Sequence, residues 1–172
     1  GGETFAEYRL PLLADSGAWD DLTRWMSEFD VGSPRVRWVI QLPLTAYAEM
    51  KERRSVLSFR ELLDNAFGPP AAAAIAGEAD AEASPLQRLL KAVCGVEVAA
   101  AAGFGEELTA EDNKEPQEWT SPTSPSFPYQ IYHVWARLKA LNACRAGARL
   151  AAWPLVAAAN TAEPLACAYM LG

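Results

Sequence analysis

The chain has 172 residues, 51% of them hydrophobic and 22% charged, with a formal net charge of −7. That is enough length and apolar content for a single core, and it excludes a disordered chain. Lys and Arg are scattered apart from Lys51-Glu52-Arg53-Arg54, so there is no basic stripe and nucleic acid is not an expected partner.

Phe5 to Leu13 is expected to be a strand, after which Asp15 or Ser16 can cap a helix with the apolar stripe Trp19, Leu22, Met26 and Phe29. Gly32-Ser33-Pro34 should end that helix. Val36 to Leu42 is the clearest strand, with Val36, Trp38, Ile40 and Leu42 on one face and Arg37, Val39 and Gln41 on the other. Ser58-x-x-Glu61 is a capping box for a helix burying Phe59, Leu62, Leu63, Ala66 and Phe67, and Gly68-Pro69-Pro70 should stop it. The Ala-rich segment 71–83 is low-complexity and ends at Ser84-Pro85, cap and first position for Leu86, Leu89, Leu90 and Val93. A short surface helix and a loop fit this stretch equally.

Val96 to Ala102 is the next expected strand, and the polar, Pro-rich segment 109–127 looks like a surface loop. Pro128 to Arg145 is the best helix pattern, with Ile131, Trp135, Leu138 and Asn142 on one side and Tyr132 and Leu141 widening the apolar face. Leu150 to Ala157 then gives a strand and Ala162 to Leu171 a last helix. The longest apolar stretch, Leu150 to Ala159, is about half a membrane span and contains Pro154, so no transmembrane helix is expected. Strand and helix alternate, the βαβ pattern of a parallel sheet, and the fold class is α/β.

Chemistry-bearing residues are few. His133 is the one histidine, and a catalytic zinc site normally takes three protein ligands, so His133 is expected to make an ordinary hydrogen bond on a helix. Cys94, Cys144 and Cys167 are far apart and odd in number, and each is expected to behave as a small buried hydrophobe. Gly103-Phe104-Gly105-Glu106 lacks the glycine and Lys-Ser or Lys-Thr of a phosphate loop. No cofactor, metal or catalytic residue is assigned from this inventory.

Several segments, in order, resemble the AMP deaminase family. Glu7-Tyr8-Arg9-Leu10 is similar to its Glu-Tyr-Arg-Leu-Ser strand, and Trp19, Leu22 and Trp25 to its next helix. Val36-Arg37-Trp38-Val39-Ile40-Gln41-Leu42-Pro43 is similar to Val-Arg-Trp-Leu-Ile-Gln-Ile-Pro. Ser58-Phe59 through Leu63, Asn65 and Phe67 follow its Asn-Phe-x-Glu-x-Leu-x-Asn-Ile-Phe helix. Glu118-Trp119, Pro128-Tyr129, Tyr132, Leu141-Asn142 and Arg145 match its later Glu-Trp, Pro-Tyr-x-Tyr-Tyr and Leu-Asn-x-x-Arg.

The family's catalytic segment is Arg-Pro-His-Cys-Gly-Glu-Ala-Gly, whose His binds zinc and whose Glu moves protons. Registered on Pro154, that resemblance puts Leu155 at the His and Ala158 at the Glu, and Ala99 to Ala102 near an acidic Val-Asp-Asp-Glu-Ser run. The family's His-x-His pair and its later His and Asp-Asp segments would fall outside residues 1–172. Leu44 stands where an Arg follows Gln-x-Pro.

The family folds as a (β/α) barrel, so the resemblance implies a partial barrel: four mostly parallel strands with intervening helices, half of the deaminase fold, in one domain over residues 1–172. It implies a pseudoenzyme, a non-catalytic structural or linker subunit whose partners are other proteins of a larger assembly. The alternative is a purine-nucleotide-binding regulatory module without catalysis, for which Glu97 and Asn160 are the remaining polar candidates. Trp119 and Trp153, in a loop and at the former catalytic strand, are the expected partner contacts, while Trp19, Trp25, Trp38 and Trp135 are expected in the core. Gly1-Gly2-Glu3 suggests a processed product, and with the Ala-rich composition an organellar assembly, at a thylakoid or inner mitochondrial membrane.

Overall fold

The structure, a computed structural model, describes residues 4–76, 83–99 and 108–158. Strands β1 (Ala6–Pro11), β2 (Val36–Pro43), β3 (Val93–Ala99) and β4 (Leu155–Ala158) form one parallel sheet in the order β1-β2-β3-β4. Helices α1 (Ala18–Glu28), α2 (Ala46–Glu52), α3 (Phe59–Ala76), α4 (Pro85–Ala92) and α5 (Phe127–Gly147) lie between them. A strand order that advances in one direction, joined by crossovers of the usual right hand, keeps the helices on one face of the sheet. This is the winding of a (β/α) barrel, and the described residues form part of one.

Period-two alternation sets the faces. The rung Leu10, Ile40, Val96 and Leu155 is in register across all four strands. Its first three members belong to the core cluster, with Leu155 packed against it. Leu12, Ile40, Leu42 and Val96 meet Trp19 of α1, Ala66 and Phe67 of α3 and Trp153 around one narrow gap. The next rung, Gln41, Glu97 and Val156, therefore points to the opposite face. Gly95 allows β4 to approach closely, since a Cβ there would lie 3.2 Å from the Pro154 carbonyl oxygen, a contact tight enough that the neighbour would have to shift by a few tenths of an ångström.

The capping boxes hold to different degrees. Ser84 and Gln87 cap α4 reciprocally, with Pro85 at its first position. At α3 the Glu61 N–H donates to Ser58 Oγ, but the Glu61 carboxylate takes the Leu57 N–H instead of closing the box on Ser58. The segment after the 3-10 turn Ala110–Asn113 supplies what is missing: the Phe59 and Arg60 N–H groups donate to the Trp119 and Pro116 carbonyls at 3.0 Å each. The Pro-rich loop thus closes the start of α3.

Several expectations need correction. α3 is not stopped by Gly68-Pro69-Pro70 and runs through both prolines to Ala76. Pro70 removes a donor to the Ala66 carbonyl, and Trp19 Nε1 donates there at 3.1 Å in its place. α1 is capped at Gly17, not by the side chain of Asp15 or Ser16, because Asp15 Oδ1 accepts the Gly17 N–H one turn position too early. Phe29 follows the end of α1 and is 65% exposed, so it leaves the buried stripe. Trp25, expected in the core, is 37% exposed and rests its edge on Trp38. α2 has no counterpart among the sequence-based elements; it buries Tyr47 and Met50. Residues 100–102 of the expected third strand and the expected helix Ala162–Leu171 lie outside the described residues.

Candidate functional site

In a barrel wound this way, chemistry is carried where the strands end, at their carboxyl side. Here those ends are closed. Leu12, Ala14 and Leu44, which follow β1 and β2, are at most 1% exposed. The Leu44 N–H donates to Ala99 and its carbonyl accepts from Gln130 Nε2 at 3.1 Å, the same amide that reaches Pro125 at 2.8 Å. Asn65 Nδ2 likewise donates to the Ala14 carbonyl. The Tyr47 hydroxyl lies 3.0 and 2.9 Å from the Trp119 and Ser121 carbonyls, and burial pushes its pKa up to about 12. These polar side chains are committed to main-chain groups, the work of a loop clamp.

One polar cluster occupies the face away from the helices. Glu97, 6% exposed, accepts from Arg9 Nε at 3.2 Å and from Gln41 Nε2 at 3.4 Å, and Arg9 also meets Glu7 at 3.0 Å. Three adjacent strands thus hold one carboxylate with a cation and an amide. The pairing positions Glu97 as an ion-pair tether across the sheet.

Leu155 pairs with Val96, and its side chain packs against the helix-covered core. The residue of β4 that faces the polar cluster's side is Val156, in register with Glu97. On either face this strand offers an apolar side chain, which cannot ligate a metal. Ala158 pairs with Ala99 at the strand end.

His133 makes no hydrogen bond among the described residues, contrary to expectation. Its ring instead packs among Tyr129 at 4.4 Å, Tyr132 at 5.0 Å and Phe59 at 6.4 Å between ring centres. Burial lowers its pKa, opposed by Glu115 and reinforced by Arg137. Cys94 and Cys144 are free and half-buried; Cys94 Sγ lies against the Trp38 carbonyl and Glu7, and burial foremost raises its pKa. Cys167 and Asn160 lie outside the described residues. Among the described residues no group of three or more His, Cys, Asp and Glu is placed to hold a metal.

Trp119 and Trp153 are not laid out as contact residues: each is 3% exposed and belongs to the core. Trp119 packs on Tyr129 and donates its indole N–H to Thr123. Trp153 is covered by the Arg145 guanidinium, 4.3 Å from its ring centre, and held by Asn142 through both amide atoms, at 2.9 and 2.8 Å. Their surroundings in sequence, a loop and a strand end, gave no sign that these segments fold back onto α3 and α5. Among the described residues the exposed aromatics are Phe5, Tyr8, Phe29 and Trp25, near β1 and α1, and Tyr132 on α5.

The parallel sheet with helices on one face and closed strand ends defines a segment of a (β/α)-barrel protein. A family model described as AMP deaminase matches residues 3–172. The chain is 33% identical over 142 residues to AMP deaminase of Arabidopsis thaliana, covering 81% of this chain and 16% of that protein. It is 30% identical over 143 residues to AMP deaminase 3 of Rattus norvegicus, 82% and 18% respectively. AMP deaminase of Dictyostelium discoideum is 30% identical over 142 residues, 81% and 17%. The chain belongs to the AMP deaminase family, and it spans less than a fifth of the length of these curated relatives. No helix among the described residues is long and apolar enough to cross a membrane.

Proposed function

We propose that this chain is a non-catalytic structural subunit of a larger protein assembly, a single deaminase-like domain retained for its surfaces. The observation that carries this reading is β4, where the residue registered on the family's zinc-ligand His is Leu155, packed on the core. Ala158 stands at the proton-transferring Glu. Neither side chain holds a metal or moves a proton. The carboxyl ends of β1 and β2 support the same reading, since Leu12 and Leu44, which follow those strands, are apolar and buried in the core.

The surface offered to partners is the flank of β1 and α1. Tyr8 is 51% and Phe29 65% exposed, with Trp25 linking Phe29 to Trp38 through ring contacts at 6.4 and 6.0 Å. Exposed aromatic rings beside a strand at the margin of the described sheet are the composition of an interface. The assay is ammonia release from AMP by the full-length protein with zinc supplied, for the natural sequence and for Leu155→His with Ala158→Glu. Both are expected to match the blank, because a His at 155 would point into the helix layer. Zinc-dependent release by the natural protein would overturn the non-catalytic reading.

A further inference from the structure

We infer that the outer edge of β1 is the seat of a second copy of this chain, paired antiparallel about a two-fold axis through Tyr8. β1 stands at the end of the strand order and, among the described residues, pairs only with β2. The Ala6 and Leu12 N–H groups donate to the Arg35 and Gln41 carbonyls, so the even-numbered residues of β1 turn their main-chain groups inward. Those of Glu7 and Arg9 therefore face the open edge, where a further strand can bond. Glu7, Tyr8 and Arg9 are all exposed.

The side chains choose the occupant. With Tyr8 opposite Tyr8, each Glu7 lies directly across from Arg9 of the second copy. Both residues carry outward main-chain groups, so each such position is a hydrogen-bonded pair, with Tyr8 at the closer, non-bonded position between them. Sliding the register by two residues in either direction centres Glu7 on Glu7 or Arg9 on Arg9, like charges face to face. Sliding it by one sets outward main-chain groups against inward ones. One register thus satisfies main chain and charge together, and the pairing closes on itself as a two-fold dimer does. Glu97 holds Arg9 on this face of the sheet. On the helix face a second Tyr8 would extend the ring cluster of Tyr8, Trp38, Trp25 and Phe29. It would also bring a hydroxyl acceptor to that cluster, where the buried Trp38 indole N–H has no partner among the described residues.

The plainer reading is that Glu7, Arg9 and Pro11 only guard the edge against pairing. Pro11 lacks an N–H and does end the ladder. Guarding charges repel a copy of their own strand, however, whereas Glu7 and Arg9 attract it in a register that the backbone allows. Their contact within one chain, at 3.0 Å, is an exposed pair that contributes little. The inference rests on the reading of the β1 and α1 flank as a contact surface and names the occupant of its strand edge.

The test is sedimentation of the full-length protein over a concentration series at low salt, combined with disulfide trapping. A reversible dimer is expected. Glu7→Lys, which leaves the Arg9 pairing with Glu97 in place, should raise its dissociation constant about tenfold or more. Tyr8→Cys should form a disulfide-linked dimer under mild oxidation, beyond the background of the natural protein, because cysteines facing across a non-bonded antiparallel position are within bridging distance. Phe5→Cys, which would face Pro11, should not. A monomer at every concentration up to about 0.1 mM would overturn the inference, as would follow if a strand of the same chain or of another protein lies along β1. A dimer indifferent to Glu7→Lys, or trapped equally well at Phe5, would overturn it too. Native isolation separates the two claims. A large assembly holding one copy would overturn the pairing and leave the structural role standing, while an isolated dimer would uphold the pairing and contradict that role.

Discussion

The Trp19 indole N–H donates to the Ala66 carbonyl at 3.1 Å, filling the acceptor that Pro70 leaves without its main-chain donor. This one bond offsets the donor lost at Pro70 and pins α1 to α3. Both ends are buried, Trp19 at 4% and Ala66 at 3% exposure, so a loss is not made good by water.

Trp19→Phe should therefore destabilise the fold by ~1–3 kcal/mol beyond its small change in packing. In a Pro70→Ala background the new N–H can bond Ala66, and the cost of Trp19→Phe should fall by about 1 kcal/mol. Denaturant unfolding of the four proteins checks this, and strictly additive changes would contradict it.

Asn142 ties α5 to the approach of β4 by donating to the Trp153 carbonyl and accepting its N–H. Asn142→Ala removes both bonds and should cost about 2 kcal/mol, with faster hydrogen exchange at the Trp153 amide. Exchange unchanged at Trp153 would show that β4 is held by other contacts.

His133 provides a pH handle. Burial holds its folded pKa below the ordinary value of 6.5, so the unfolded chain binds the proton more readily. Its contribution is fully present above pH 6.5, falls as pH drops through that value, and levels off below the lowered folded pKa. The difference in unfolding free energy between the natural protein and His133→Gln should shrink as pH falls from 7.5 to 5. A difference that does not vary over this range would mean that the ring titrates normally.

The Tyr47 clamp gives a further check. Tyr47→Phe leaves the Ser121 and Trp119 carbonyls without their phenolic donor and should cost ~1–3 kcal/mol. Protease sensitivity near Ser121 to Thr123 should rise with it. Unchanged stability and cleavage would mean the loop is held by Trp119 alone.

The strands were legible because β-branched and aromatic residues alternate in register with their partners, as at Val36 to Leu42. What escaped was decided by residues far apart in sequence. Pro69-Pro70 reads as a helix stop until Trp19, about fifty positions away, supplies the missing donor. Trp119 looked exposed because its neighbours are polar, yet Tyr129 and the start of α3 enclose it. Helix ends at Asp30, Arg54 and Arg149 adopt left-handed backbone without the glycine that usually marks it. The apolar character of Leu155 was evident from sequence; that it faces the helices and leaves Val156 toward Glu97 required the register of β3 and β4.

The most direct test of the central claim is native isolation of the endogenous protein, with the mass and stoichiometry of what it travels with. Recovery in fixed proportion to the other subunits of a large assembly is the expected result, and it should weaken when Tyr8 and Phe29 are made polar. Recovery as a free protein with no stable partners would contradict the structural role.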